Sequence, residues 1–343
     1  MPSSPTNTWR RHARASLTRA AAAAGVLSRF ERRMAGGWTI LTYHRILENV
    51  HDYPFEGLVT PADAFRAHVE FLRDRCRVLP VGDALETCRR GQVGGRPLVS
   101  ITFDDGYVDG IAIAAPILEE ADLRATYFIT TGPVGTRERL WFDRAARRFR
   151  GAAPGHAAAA LREALGPGSP APEPLTLRAW MAALKSLPPH RRDAAIAALR
   201  RTPDERAGDH DRLMTPEEIA DLARRGHEVA AHTVTHPVLT TLDDAALERE
   251  LRVPIHQLAA WTGAAPAGLC YPNGDHDGRI AAAAARAGYR YACTTLPGRN
   301  DPAGEPLALR RIDMNPGRMR RRDGRHDPLA FRAELCLLHS AWR

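Results

Sequence analysis

From residue 37 to residue 131, short runs of β-branched and aromatic residues alternate with longer segments whose apolar residues recur at helical spacing. "GWTILTYHRI" alternates in hydrophobicity and predicts a first strand with Tyr43 and His44 at its end. "TPADAFRAHVEFLRDR" predicts a helix opened by Thr60 and Pro61. The strand "PLVSITF", a helix near "IAIAAPILEEA" and the strand "ATYFITT" follow. Strand, helix, strand, helix at this pitch implies a parallel sheet or barrel. Chemistry in such architectures gathers at the carboxyl ends of the strands, which is where the polar clusters of this sequence fall.

The rhythm breaks at about 137 to 212, where Ala- and Arg-rich helical stretches are interrupted by "GPGSPAPEP" and "LPPH", and a helical insertion with a flexible Pro/Gly segment is expected. It resumes at "MTPEEIADLARRGHEVAAH", where Thr215, Pro216 and Glu218 form a capping-box start. "LDDAALERELRVPIHQLAAWTG" reads as a helix, "AGLCYP" as a short strand, "RIAAAAARAGYRYACTT" as helix and strand, and "ALRRIDM" as a last strand. The expected organisation is a basic arm over 1–35, an α/β body over 36–315 and a basic segment with a closing helix over 316–343.

The net charge of +8 is unevenly placed. Residues 1–33 hold seven arginines and one glutamate, and residues 310–325 hold seven arginines and two aspartates, which leaves the rest mildly acidic. A groove-tracking face for nucleic acid is therefore not expected; binding through the two Arg-rich segments would show as a strongly salt-dependent affinity for any polyanion. Five widely spaced cysteines without a C-x-x-C fit a reducing compartment and no cysteine zinc cluster. The apolar run "AAAAAGVL" is short and closed by Arg29, so the chain reads as cytoplasmic and not as carrying a secretory leader. The basic arm suits either an anionic membrane surface, as a peripheral contact at the inner membrane, or a solvated docking helix.

In "VSITFDDGY" a strand ends on Asp104 and Asp105. Adjacent carboxylates in a partly buried site repel unless a cation or arginine offsets them, although a helix cap with a first-turn acid is the plainer use of such a pair. "EVAAHTVTHP" places His232 and His236 as H-x-x-x-H after another strand. Two imidazoles and one carboxylate with an open position make a workable catalytic zinc site. "YPNG" on its own reads as a turn, and Cys270, without an activating neighbour, as packing.

T-F-D-D-G-Y followed about 130 residues later by H-T-V-T-H-P resembles the polysaccharide deacetylase family, the NodB-homology domain, over roughly residues 36–315. The resemblance implies a distorted, incomplete (β/α) barrel of the seven-stranded type. It assigns a divalent metal, zinc by expectation, to Asp105, His232 and His236, and makes Asp104 the general base toward the attacking water. It implies removal of N-acetyl groups from a glycan, with the backbone N–H of Asn273 in "YPNGD" completing an oxyanion hole. Cys270 stands where the family usually has an arginine, and Arg311 in "LRRID" is a candidate to supply that charge. The general acid is open between a late L-x-H match at Leu337 to His339, on an expected C-terminal helix, and His44 at the mouth of the first strand. With a cytoplasmic chain, a lipid-linked or nascent exopolysaccharide sugar at the inner membrane face is the expected substrate. A deformylase or other amidase acting on an aminosugar and a catalytically silent glycan-binding homologue are the alternatives; no oligomeric state follows.

Overall fold

The computed structural model describes residues 18–20, 23–25, 27, 29, 34, 36–48, 53–153, 155–166, 168, 172–201, 208–321, 323 and 325–337. The basic arm and His339 thus lie largely or wholly outside the described residues. Strand β1 (Trp38–Tyr43) is buried along its whole length. The chain then leaves the main sheet at His44, and β2 (Arg45–Leu47) pairs with β3 (Val59–Pro61) in a separate two-stranded ribbon. One continuous strand over "WTILTYHRI" was expected; the break follows from Asp109, whose carboxylate accepts from Arg45 Nε and from the Ile46 N–H, both at 2.6 Å. Thr60 and Pro61 belong to this ribbon too, so helix α1 (Ala62–Arg75) starts one residue later than the Thr-Pro signal implies, with Pro61 as its N-cap.

The order continues with β4 (Arg77–Val78), α2 (Val81–Arg89), β5 (Leu98–Phe103), α3 (Ala115–Glu120) and β6 (Thr126–Ile129). Four helices follow: α4 (Trp141–Gly151), α5 (His156–Leu165), α6 (Leu177–Lys185) and α7 (Pro189–Ala197). The alternation then resumes with α8 (Pro216–Arg224), β7 (Glu228–Ala231), α9 (Asp244–Thr262), β8 (Gly268–Cys270), α10 (Gly278–Ala287), β9 (Tyr291–Cys293), β10 (Ile312–Asp313) and α11 (Pro328–Leu335). The capping box at the start of α8 forms as its residues predict: Thr215 Oγ1 accepts from Glu218 N at 3.3 Å and Glu218 Oε2 accepts from Thr215 N at 2.8 Å.

The sheet runs β10-β1-β5-β6-β7-β8-β9 with every neighbouring pair parallel, and β4 adds to the start of β5. The barrel is incomplete. Between β9 and β10 the seam is bridged by the Leu309 backbone, which donates to Ala292 O at 2.9 Å and accepts from Thr294 N at 2.8 Å.

Period-two alternation sorts the strand residues. Trp38 and Ile40 of β1 join Phe128, Ala230, Cys270 and Tyr291 in the inner cluster, whereas Leu41 and Tyr43 join Ile101, Ile129 and Leu269 in the cluster shared with the helices. Each large apolar side chain so buried contributes about 1.5–3 kcal/mol relative to exposure. Helix α2 packs into the inner cluster from the amino end of the strands, its Val81 and Gly82 N–H groups donating to Thr126 Oγ1 and Glu228 Oε2. The opposite, carboxyl end is left for polar groups. Helices α4 to α7 hold a cluster of their own, built on Trp180, Leu161 and Leu184, with Trp141 and Tyr107 at its margin toward the barrel.

Candidate active site

At the end of β5 the Asp104 N–H still donates to Tyr43 O at 3.0 Å, then the chain turns through two left-handed residues, Asp105 (φ 76) and Gly106 (φ 91). Left-handed aspartate is uncommon, and here it lets two successive acids line one cavity of about 610 Å³. His232 follows β7, and the loop beyond it is held by the buried Glu250 of α9, which accepts from Val234 N at 2.8 Å and Thr235 N at 2.9 Å. That clamp brings His236, also left-handed (φ 57), back beside His232.

Asp105 Oδ1 lies 3.6 Å from His232 Nε2 and 3.4 Å from His236 Nε2, and the three donor atoms are all within 4.8 Å of one another. Tetrahedral ligands at about 2.1 Å from a shared ion stand about 3.4 Å apart, so the spacing suits a divalent metal. The electrostatics agree with the spacing. Burial, then the neighbouring Asp104 and Asp143, push the Asp105 carboxyl well above its ordinary range, a shift that a divalent ion held there would reverse. Burial lowers His232 to about 4 and, together with His232 and Lys185, holds His236 well below its usual value, leaving both imidazoles neutral as ligands must be. His232 Nδ1–H donates to Cys270 O at 2.7 Å, which leaves the Nε2 lone pair facing Asp105.

Asp104 takes the other position. Arg311, just ahead of β10, clasps it with two 2.7 Å bonds and is itself anchored on Thr294 O at 2.9 Å. Burial alone would raise the Asp104 carboxyl, but the guanidinium holds it well below the carboxylate range. Arg311 thus puts a guanidinium on Asp104 although Cys270 occupies the usual arginine position. The Cys270 thiol is fully buried, packs 3.0 Å from Arg311 Nη2 and 3.6 Å from Asp104 Oδ2, and is kept protonated by burial. His44 Nε2 is 3.9 Å from Asp104 Oδ2, with about a fifth of its side chain exposed, and burial lowers its pKa.

Asn273 sits at the cavity wall in the turn Pro272–Gly274, with φ 62, followed by Gly274 at φ 80. A Cβ on Gly274 would fall 2.1 Å from Thr295 Oγ1, so only glycine fits. All seven residues singled out from sequence, His44, Asp104, Asp105, His232, His236, Asn273 and Arg311, therefore line one cavity. Of the L-x-H segment, Leu337 lines it as well, just past the end of α11, and His339 lies outside the described residues.

Sequence reasoning missed what the four-helix segment contributes. Trp141 Nε1 donates to His236 O at 2.7 Å, Phe142 sets its ring edge against His236 at 5.1 Å, and Lys185 Nζ donates to Asn273 Oδ1. The only available signal was that the lone lysine falls in this segment.

Fold and site define a parallel (β/α) half-barrel with an acid pair and an H-x-x-x-H pair at its strand ends. The polysaccharide deacetylase family model matches residues 91–292, more than half of the chain, and the chain belongs to that family. YxkH of Bacillus subtilis (strain 168), itself named for the polysaccharide deacetylases, is 30% identical over 102 residues, 29% of this chain and 34% of that protein, so the match spans about a third of that relative. Among solved structures, the Streptococcus pyogenes deacetylase PplD in complex with acetate superposes with a TM-score of 0.55 at 20% identity, covering 82% of this chain and 94% of that one. BC0361, a polysaccharide deacetylase from Bacillus cereus, gives 0.56 at 17% identity over 87% and 69%. IcaB from Ammonifex degensii gives 0.55 at 16% identity over 82% and 93%. These likenesses establish the fold.

Proposed function

We propose that this chain is a metal-dependent glycan N-deacetylase, in which Asp105, His232 and His236 hold a divalent ion, zinc by their oxygen and nitrogen donors. The observation that carries the reading is the convergence of these three donors beside the Arg311–Asp104 pair. The ion, when bound, supplies Lewis-acid polarisation of the acetyl carbonyl and makes water acidic enough to attack near neutral pH. Asp104, kept ionised by Arg311, takes the proton of the attacking water. The backbone N–H of Asn273 donates to the oxygen of the acetyl group as it gains negative charge. His44, whose Nε2 lies 3.9 Å from Asp104 Oδ2, relays the proton taken from water to the leaving amine. Phe55, Trp141, Phe142 and Met181 form an apolar wall that excludes water from the reacting amide.

The Arg311–Asp104 contact favours turnover over a catalytically silent glycan-binding homologue, because it restores the charge that Cys270 leaves out. Placement in the cytoplasm is part of the proposal and draws on the five cysteines, all free and buried. The test is acetate release from acetylated oligosaccharides, with N-formyl sugars offered alongside. Release that survives both chelation and Asp104→Asn would refute the reading, and preference for the formyl sugar would redirect it to deformylation.

A further inference from the structure

Helix α6 ends on Lys185, the one lysine in a chain whose other 47 cationic side chains are arginine. Its ammonium donates to Asn273 Oδ1 at 2.5 Å, and the amide nitrogen of the same side chain donates to Asp275 Oδ2 at 2.6 Å. The Asn273 carbonyl accepts from Thr295 Oγ1 at 2.9 Å. Asn273, though exposed, is therefore held at both ends of its side chain and at its backbone, in a left-handed conformation that asparagine adopts more readily than other non-glycine residues. The other two cations lining this cavity among the described residues, Arg311 and Arg318, face carboxylates at Asp104 and at Asp313 and Glu334. Lys185 is turned instead onto a neutral amide, so its charge is not cancelled by a hydrogen-bonded acid. Burial lowers its pKa, against the opposing pull of Asp275 and Asp105.

We propose that Lys185 is the positioning residue of the oxyanion turn: the helical insertion reaches across the cavity and fixes Asn273 through its side-chain amide. The proposal rests on the deacetylase reading for its kinetic consequence and on geometry alone for its structural one. An ammonium suits the task because it is a compact point donor for a single amide oxygen, whereas a guanidinium fork is shaped for two acceptors. Four helices that look like an appendage in sequence thereby become part of the catalytic apparatus, through Trp141 at His236 and Lys185 at Asn273.

The test compares Lys185→Met and Lys185→Arg with the wild type in the full chain, by acetate-release kinetics and by backbone hydrogen exchange of residues 271–276 in metal-free protein. Lys185→Met is expected to lower kcat about tenfold or more while KM stays within about twofold, the signature of an interaction made in the transition state. Exchange over 271–276 is expected to rise about tenfold, with β5 unchanged as the control for folding and Lys185→Arg intermediate in both readouts. Unchanged exchange over 271–276 would overturn the proposal, and so would a raised KM at wild-type kcat. If the wild type released no acetate, the deacetylase reading would fall, while the exchange experiment would still decide whether Lys185 fixes the turn.

Discussion

Replacing Arg311 by methionine isolates the interaction on which Asp104 depends. Both groups are buried, joined by two charge-assisted bonds of 2.7 Å, and the guanidinium also holds Thr294 O and Thr102 Oγ1. Methionine keeps much of the volume and removes every donor, so in metal-free protein the variant leaves a buried carboxylate without its arginine counter-charge. Breaking a buried pair in this way costs about 3–5 kcal/mol at neutral pH. At about 2 °C per kcal/mol for a chain of this size, Tm falls by about 6–10 °C.

The pH dependence supplies the sharper check. In the wild type the Asp104 carboxyl is held well below its unfolded range, so its contribution is present above about pH 4 and fades as pH falls further. In Arg311→Met the carboxyl moves up, because burial is then the dominant influence, and acid relieves the variant by protonating it. The stability gap between the two proteins should therefore narrow on acidification, by at most about 1.4 kcal/mol per pH unit. Denaturant unfolding of both at pH 7 and pH 4 measures it, and Arg311→Met/Asp104→Asn should be less destabilised than Arg311→Met alone. A loss under about 1 kcal/mol, or a gap that does not narrow in acid, would refute the reasoning.

Asp104→Asn keeps the shape of the site and removes the base, so acetate release should drop by about a hundredfold or more with the metal still bound, measured by initial rates and metal content. His232 titrates near 4 when folded against about 6.5 unfolded, so its contribution to metal-free stability, about 3 kcal/mol, should disappear as pH falls from 6.5 to 4, and His232→Gln should flatten that part of the profile. Gly274→Ala places a Cβ against Thr295 at a left-handed position and should cost more in kcat than in stability, read from kinetics and unfolding on the same preparation. Trp141→Phe loses the donor to His236 O and should weaken metal affinity about tenfold in a competitive chelator titration.

The strands that carry the chemistry were legible because each is a short apolar run ending in polar residues, and a parallel sheet puts all such ends on one side. Asp104, Asp105, His232 and His236 were readable for that reason. Arg311 was readable as a candidate, since it sits at the start of a strand next to the buried Ile312, but the partner it would find depended on which strand closes beside β1. Local pattern could not foresee the break at His44, because it is driven by Asp109, more than sixty residues away. Nor could it place Lys185 and Trp141: the amphipathic repeat of α4 and α6 says which face is buried, not which helix end touches the barrel mouth. Cys270 reads from sequence as packing, and its place between Asp104 and Arg311 required the fold.

The most direct test of the account is metal content together with anomalous scattering at the zinc edge, on protein purified without chelators and on the His232→Ala and His236→Ala variants. One ion per chain, located between Asp105, His232 and His236 and lost in both variants, is the result predicted. Anomalous signal elsewhere on the chain, or full occupancy retained in the variants, would contradict it.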